Sequence, residues 1–120
     1  MTAFTQPIDA GIPGLPDGDT ARVLEAISHH PAVQRVVLYG SRALGRQRSG
    51  SDIDLCMEAP AMDLGELLIL GAELDDLLLP WQIDLQLHHQ IDHAGLLEHI
   101  RRVGLVLWER PAEITNQSIA

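Results

Sequence analysis

Three aspartates, Asp52, Asp54 and Asp84, have the type and spacing for chemistry. The stretch Asp52 to Met57 alternates charged and apolar residues, the period of a strand with one polar face. On such a strand residues i and i+2 share a face roughly 6.5–7 Å apart, which projects two carboxylates side by side. Their mutual repulsion favours a cation between them. Hard oxygen donors with open positions suit Mg²⁺, which takes one or two protein carboxylates and completes its shell with substrate phosphates. Asp84, between Ile83 and Leu85 in a second alternating stretch, adds a third carboxylate if its strand lies beside the first. Three carboxylates holding two metals about 3.5–4 Å apart serve in-line phosphoryl transfer. An isolated Asp-x-Asp more often marks a solvated strand face, so the upstream residues must decide.

Upstream, the apolar run Val36 to Tyr39 breaks at Gly40-Ser41. Glycine lets the backbone approach an anion closely, and a helical turn starting there adds free N–H groups and a favourable dipole. A small hydroxyl on an open turn beside paired carboxylates is a triphosphate site in outline. Arg42 either neutralises phosphate charge or makes a structural ion pair.

These residues need a scaffold, and the pattern supplies one. A helix capped by Asp19 or Thr20 runs to about Ser28 on Val23, Leu24 and Ile27, and Pro31 ends it. Arg35–Tyr39 reads as a buried strand, Arg42–Leu44 as one helical turn, and residues 45–50 as a polar, flexible loop. Asp63 caps a helix with Glu66 as its capping-box partner, and that helix runs to about Leu79 before Pro80. Trp81–Leu87 is the next strand. Asp92 caps a helix over His93–Arg102, Gly104 closes it, and Leu105–Trp108 is a last strand. The order predicts one α/β or α+β domain over residues 20–110, flanked by an irregular arm (1–19) and a polar tail (111–120).

Composition narrows the function. The chain has 120 residues, eight Lys plus Arg (all of them Arg) and seventeen Asp plus Glu, for a net charge of −9. That balance argues against a general nucleic-acid binder and against docking on an anionic membrane. Without lysine, Schiff-base and P-loop chemistry are excluded. A single cysteine, Cys56, excludes an intramolecular disulfide and suits a reducing compartment. With no basic segment preceding an apolar core, the expected localisation is cytoplasmic.

The string Gly40-Ser41, ten residues, Asp52-x-Asp54 resembles the GSx10DxD signature of the nucleotidyltransferase superfamily related to DNA polymerase beta. The fuller run Gly40-Ser41-Arg42-Ala43 through Ser51-Asp52-Ile53-Asp54-Leu55 looks like the minimal nucleotidyltransferases, over roughly residues 20–110. The resemblance implies a small mixed sheet of about four strands packed with helices. It implies that Gly40 and Ser41 contact the triphosphate, with Arg42 beside them, and that Asp52 and Asp54 bind two Mg²⁺ ions. Asp84 would be the third carboxylate, as base or metal ligand. The reaction implied is attack of an acceptor hydroxyl on the α-phosphorus of ATP. As a group, minimal nucleotidyltransferases resemble antitoxins whose partner is a helical HEPN-domain toxin, silenced in some members by AMP transfer. A non-catalytic antitoxin that masks its partner, and a transferase acting on a small molecule, are the alternatives. The wide apolar surface of the Leu64–Leu79 helix fits a protein interface, in a homo- or hetero-oligomer, or burial under the sheet and arm.

Other residues read as structural. His93 and His99, six apart, and the pairs His29-His30 and His88-His89 have poor spacing for a shared metal. Cys56 reads as a small buried hydrophobe. Phe4, Tyr39, Trp81 and Trp108 read as packing residues, and Arg46 and Arg48 as solvated loop arms.

Overall fold

The alternating stretches pair edge to edge in the computed structural model, which describes residues 11–112. The strands are β1 (Arg35–Tyr39), β2 (Ile53–Glu58), β3 (Ile83–Leu87) and β4 (Leu105–Glu109), in the order β3-β2-β1-β4. β1 runs antiparallel to β2 and β4, whereas β2 and β3 are parallel. The sheet is therefore mixed, as expected. The helices are α1 (Asp19–Ser28), α2 (Leu64–Asp75) and α3 (Ala94–Val103). Parallel neighbours need a long connection, and α2 is the crossover that brings β3 beside β2.

Strand alternation sends side chains to two unequal layers. Val36, Leu38, Ile53, Leu55, Met57 and Leu87 face a large core completed by Val23, Leu24 and Ile27 of α1 and Leu70 and Leu74 of α2. Each fully buried Val, Leu or Ile in such a layer contributes about 1.5–3 kcal/mol. On the opposite face Val37, Tyr39 and Cys56 meet Ile100 of α3. One helix covers that second face, and the polar residues of β2 and β3 share it.

Several local expectations give way to longer-range contacts. Thr20 does not cap α1: Gly18 holds the N-cap position, and the Thr20 hydroxyl accepts from the Ile12 N–H at 2.9 Å. That bond and the buried side chain of Ile12 tie residues 11–18 onto the domain despite their irregular path. Residues 1–10 of the expected arm, including Phe4, and residues 113–120 of the expected tail lie outside the described residues.

α2 has the expected cap, Asp63 accepting from the Glu66 N–H at 2.8 Å, but it ends at Asp75 rather than near Leu79. Asp75 and Asp76 place negative charge at the negative end of the helix, and no basic residue sits in its last turn. Leu78 then takes a positive φ of 57°. α3 is capped by His93, whose Nδ1 accepts from the Leu96 N–H at 3.0 Å, and not by Asp92. Along α2, Leu64, Leu68 and Ile69 are 57–74% exposed, and the described residues do not cover that face. Among the described residues no helix is long and apolar enough to cross a membrane.

Candidate active site

Strand register assembles the site. Asp54 of β2 lies opposite Tyr39 of β1 on one side and Asp84 of β3 on the other. The three residues form a cross-strand row on the face that α3 covers. The sequence put Asp54 and Asp84 on separate strands, and the parallel pairing makes them neighbours. Asp52 sits just ahead of β2, which begins at Ile53, so the sheet ladder holds it less directly than a mid-strand residue.

Asp54 is partly buried, while Asp52 and Asp84 are exposed. Burial raises the pKa of Asp54 most, and the neighbouring charges of Asp84 and then Asp52 raise it further, against the smaller opposing effects of His99 and Arg42. Among the described residues, none of the ion pairs includes any of the three aspartates. The row therefore carries concentrated negative charge without a protein counter-ion, the situation a bound cation relieves. No three His, Cys, Asp or Glu among the described residues converge tightly enough to enclose a metal by themselves. Open oxygen donors of this kind fit Mg²⁺ sharing its shell with substrate oxygens.

Gly40 follows β1 with φ of 79°, and a Cβ there would collide with Asp54 Oδ2. The Asp54 carboxylate is thus seated against the glycine backbone. After it, the Leu44 N–H donates to Gly40 and the Arg46 N–H to Ser41, winding residues 40–46 into a turn rather than a regular helix. Among the described residues the N–H groups of Ser41, Arg42 and Ala43 have no backbone acceptor, which leaves donors for an anion beside Asp54.

Arg42 has a different environment from the expected one. Its side chain is 1% exposed, and its guanidinium donates to the backbone carbonyls of Pro13, Ser51 and Asp52. Arg46 and Arg48 stay exposed on the following loop. Cys56, two residues beyond Asp54 on the same face, is buried, and its thiol pKa is pushed up to about 11.

Two site-lining residues escaped the sequence reading. Tyr39 packs edge-on against His99, ring centroids 6.2 Å apart, and burial followed by the charges of Asp84 and Asp54 holds its phenol pKa far above the ordinary value. An aromatic ending an apolar strand looks like core. Only its place immediately before Gly40 offered a signal. His99, dismissed on its spacing from His93, reaches the row through the packing of α3 across β1.

Comparison with known proteins agrees with this geometry. The family model described as "Polymerase beta, Nucleotidyltransferase" matches residues 22–113. No curated protein matches the sequence. Among solved structures, a toxin–antitoxin with AMP-PNP superposes with a TM-score of 0.64 at 24% identity, covering 82% of this chain and 75% of that one. A mutant of the toxin–antitoxin pair MntA-HpeT gives 0.61 at 25% identity, over 87% and 76% of the two chains. A tri-AMPylated Shewanella oneidensis HEPN toxin in complex with its MNT antitoxin gives 0.57 at 21% identity, over 75% and 69%. Together the fold, the Gly40-Ser41 turn and the matched family model over most of the domain establish that the chain belongs to the polymerase beta nucleotidyltransferase family.

Proposed function

We propose that this protein transfers AMP from ATP to a hydroxyl group of a HEPN-type toxin and thereby acts as its antitoxin. The observation that carries the reading is the Asp54–Asp84 row, unpaired among the described residues and with Asp54 seated against Gly40, beside the Ser41 to Ala43 N–H groups that lack a backbone acceptor among those residues. The similar complexes, one holding AMP-PNP and one a tri-AMPylated HEPN toxin, support ATP as donor and such a toxin as acceptor.

Gly40 and Ser41 cradle the triphosphate, the turn N–H groups donating to its oxygens. Asp52 and Asp54, with Asp84, would hold two Mg²⁺ ions, and such ions would supply neutralisation of charge on the α-phosphoryl group and the leaving pyrophosphate. Asp84, exposed on β3 beside Asp54, would take the hydroxyl proton or orient the metal that lowers its pKa. The acceptor oxygen forms a bond to the α-phosphorus as the α–β anhydride bond breaks, and pyrophosphate leaves with the electron pair. Tyr39, with His99 packed edge-on against it, flanks Asp54 on the β1 side of the row.

The exposed Leu64, Leu68 and Ile69 on α2 favour a second reading, neutralisation by binding alone. Incubation with ATP labelled at the α-phosphorus, Mg²⁺ and a purified HEPN-domain toxin separates the two. Label on that protein, lost with Asp52→Asn/Asp54→Asn, establishes transfer. Tight binding without label establishes masking instead, and labelled small molecules alone point to a soluble acceptor.

A further inference from the structure

Arg42 is the one charged side chain buried among the described residues. Among the described residues no carboxylate pairs with it, and burial pulls its pKa down against the raising fields of Asp52 and Asp54. Burying an unpaired guanidinium is costly, so what it binds should matter. Its Nη2 donates to Ser51 O at 2.7 Å, its Nε is shared between the Ser51 and Asp52 carbonyls at 3.3 Å, and its Nη1 reaches Pro13 O at 2.7 Å. Trp81 lies 5.7 Å from the guanidinium and sends its own indole N–H to Ser49 O at 2.9 Å. Between them, Arg42 and Trp81 grip three carbonyls of the segment Ser49–Asp52, the entry to β2.

The position of that segment is consequential. Asp52 precedes the strand, whose first residue Ile53 donates its N–H to the carbonyl of Gln82, just ahead of β3, at 2.8 Å. Arg42 itself belongs to the turn that begins at Gly40. One side chain therefore joins the turn to the backbone that carries Asp52 and leads into Asp54. We propose that Arg42, backed by Trp81, is a positioning residue that holds Asp52 in register with the Gly40-Ser41 turn and touches no phosphate itself. The inference rests on Asp52 and Asp54 being the metal-holding pair, as proposed above. A planar fork is needed to reach carbonyls on two segments at once, which a lysine ammonium does not provide.

The test pairs Arg42→Lys with a matched control at the opposite end of the sheet. Arg110 there donates to the carbonyls of Ser28, His30 and Val33 and stacks 4.8 Å from Trp108, so Arg110→Lys breaks a similar clamp away from the aspartates. Melting temperature is measured for both variants. Binding of AMP-PNP is followed by calorimetry across a Mg²⁺ titration, and AMP transfer is assayed in parallel.

Arg42→Lys is expected to raise the Mg²⁺ half-saturation by about tenfold or more, the usual effect of losing a residue that orients metal ligands. It should lower kcat more than it raises KM for ATP, while Arg110→Lys with an equal loss of melting temperature stays within twofold on both. Trp81→Phe, which keeps a ring but loses the bond to Ser49, is expected to shift half-saturation about three- to fivefold and decides the matter if Arg42→Lys does not fold. Wild-type half-saturation in the Arg42 and Trp81 variants, or an equal shift in Arg110→Lys, overturns the proposal and leaves the nucleotidyltransferase reading standing. Absence of Mg²⁺-dependent AMP-PNP binding in the wild-type protein overturns both.

Discussion

Gly40→Ala separates backbone strain from a collision inside the site. Gly40 has φ of 79°, a region where an alanine costs about 1–2 kcal/mol. For a domain of this size each kcal/mol lowers the melting temperature by about 4–8 °C. The added Cβ also strikes Asp54 Oδ2 and lies 3.1 Å from Cγ and 3.3 Å from Cβ of the same residue. The struck atoms belong to a short side chain on a central strand, so the carboxylate must rotate away from the turn. A misplacement of about 1 Å in a reacting group costs about 10²-fold in rate. Gly45 supplies the control: its φ is 72°, but a Cβ there meets nothing within 4 Å. Gly45→Ala should show a similar drop in melting temperature with transfer of labelled AMP within about threefold of wild type, as strain alone does not move Asp54. Gly40→Ala should lose about 10²-fold in transfer at the same stability cost. Equal activity in the two variants, measured well below both melting temperatures, would refute the argument that the glycine seats the Asp54 carboxylate.

Asp54→Asn should abolish transfer without lowering the melting temperature at neutral pH, because burial and the charges of Asp84 and Asp52 already favour the uncharged form; calorimetric melting alongside the labelling assay checks both halves. His30 lies 2.7 Å from Glu73 and 3.1 Å from Glu66, and the Glu73 bond foremost, then the Glu66 bond, raises its pKa above 6.5 against burial. A folded-state pKa above the unfolded one stabilises fully below about 6.5, and that stability is lost as pH rises through the raised value. The melting temperature should therefore fall more between pH 6 and 8 in wild type than in His30→Gln, and parallel curves would count against the bridge. Cys56, buried with its pKa pushed up to about 11, should react with a thiol reagent at pH 7.5 only as the protein unfolds; rapid labelling of the folded protein would contradict its placement.

Local signals carried much of the reading. Period-two alternation marked β2 and β3, the Asp63–Glu66 pair marked the start of α2, and the Gly40-Ser41 break marked the turn, because each depends on neighbours a few residues apart. Where such signals competed with distant contacts, the contacts won. Thr20 served Ile12 rather than its own helix, and α2 stopped at Asp75 where its terminal charges opposed it, short of Pro80.

The spacing Gly40-Ser41 to Asp52-x-Asp54 pointed from the sequence alone to the family, which the matched family model shows, and to two of the three candidate carboxylates. Tertiary structure decided which residues share the site. The α2 crossover sets Asp84 beside Asp54, antiparallel register sets Tyr39 on its other flank, and α3 carries His99 to them. The same packing turns Arg42 away from solvent and onto the carbonyls of Ser51 and Asp52. The physical reason is range: propensity, capping and alternation act over a few residues. Strand register and the destination of a long side chain are set by burial and hydrogen-bond satisfaction across the whole fold, between segments that no local pattern connects.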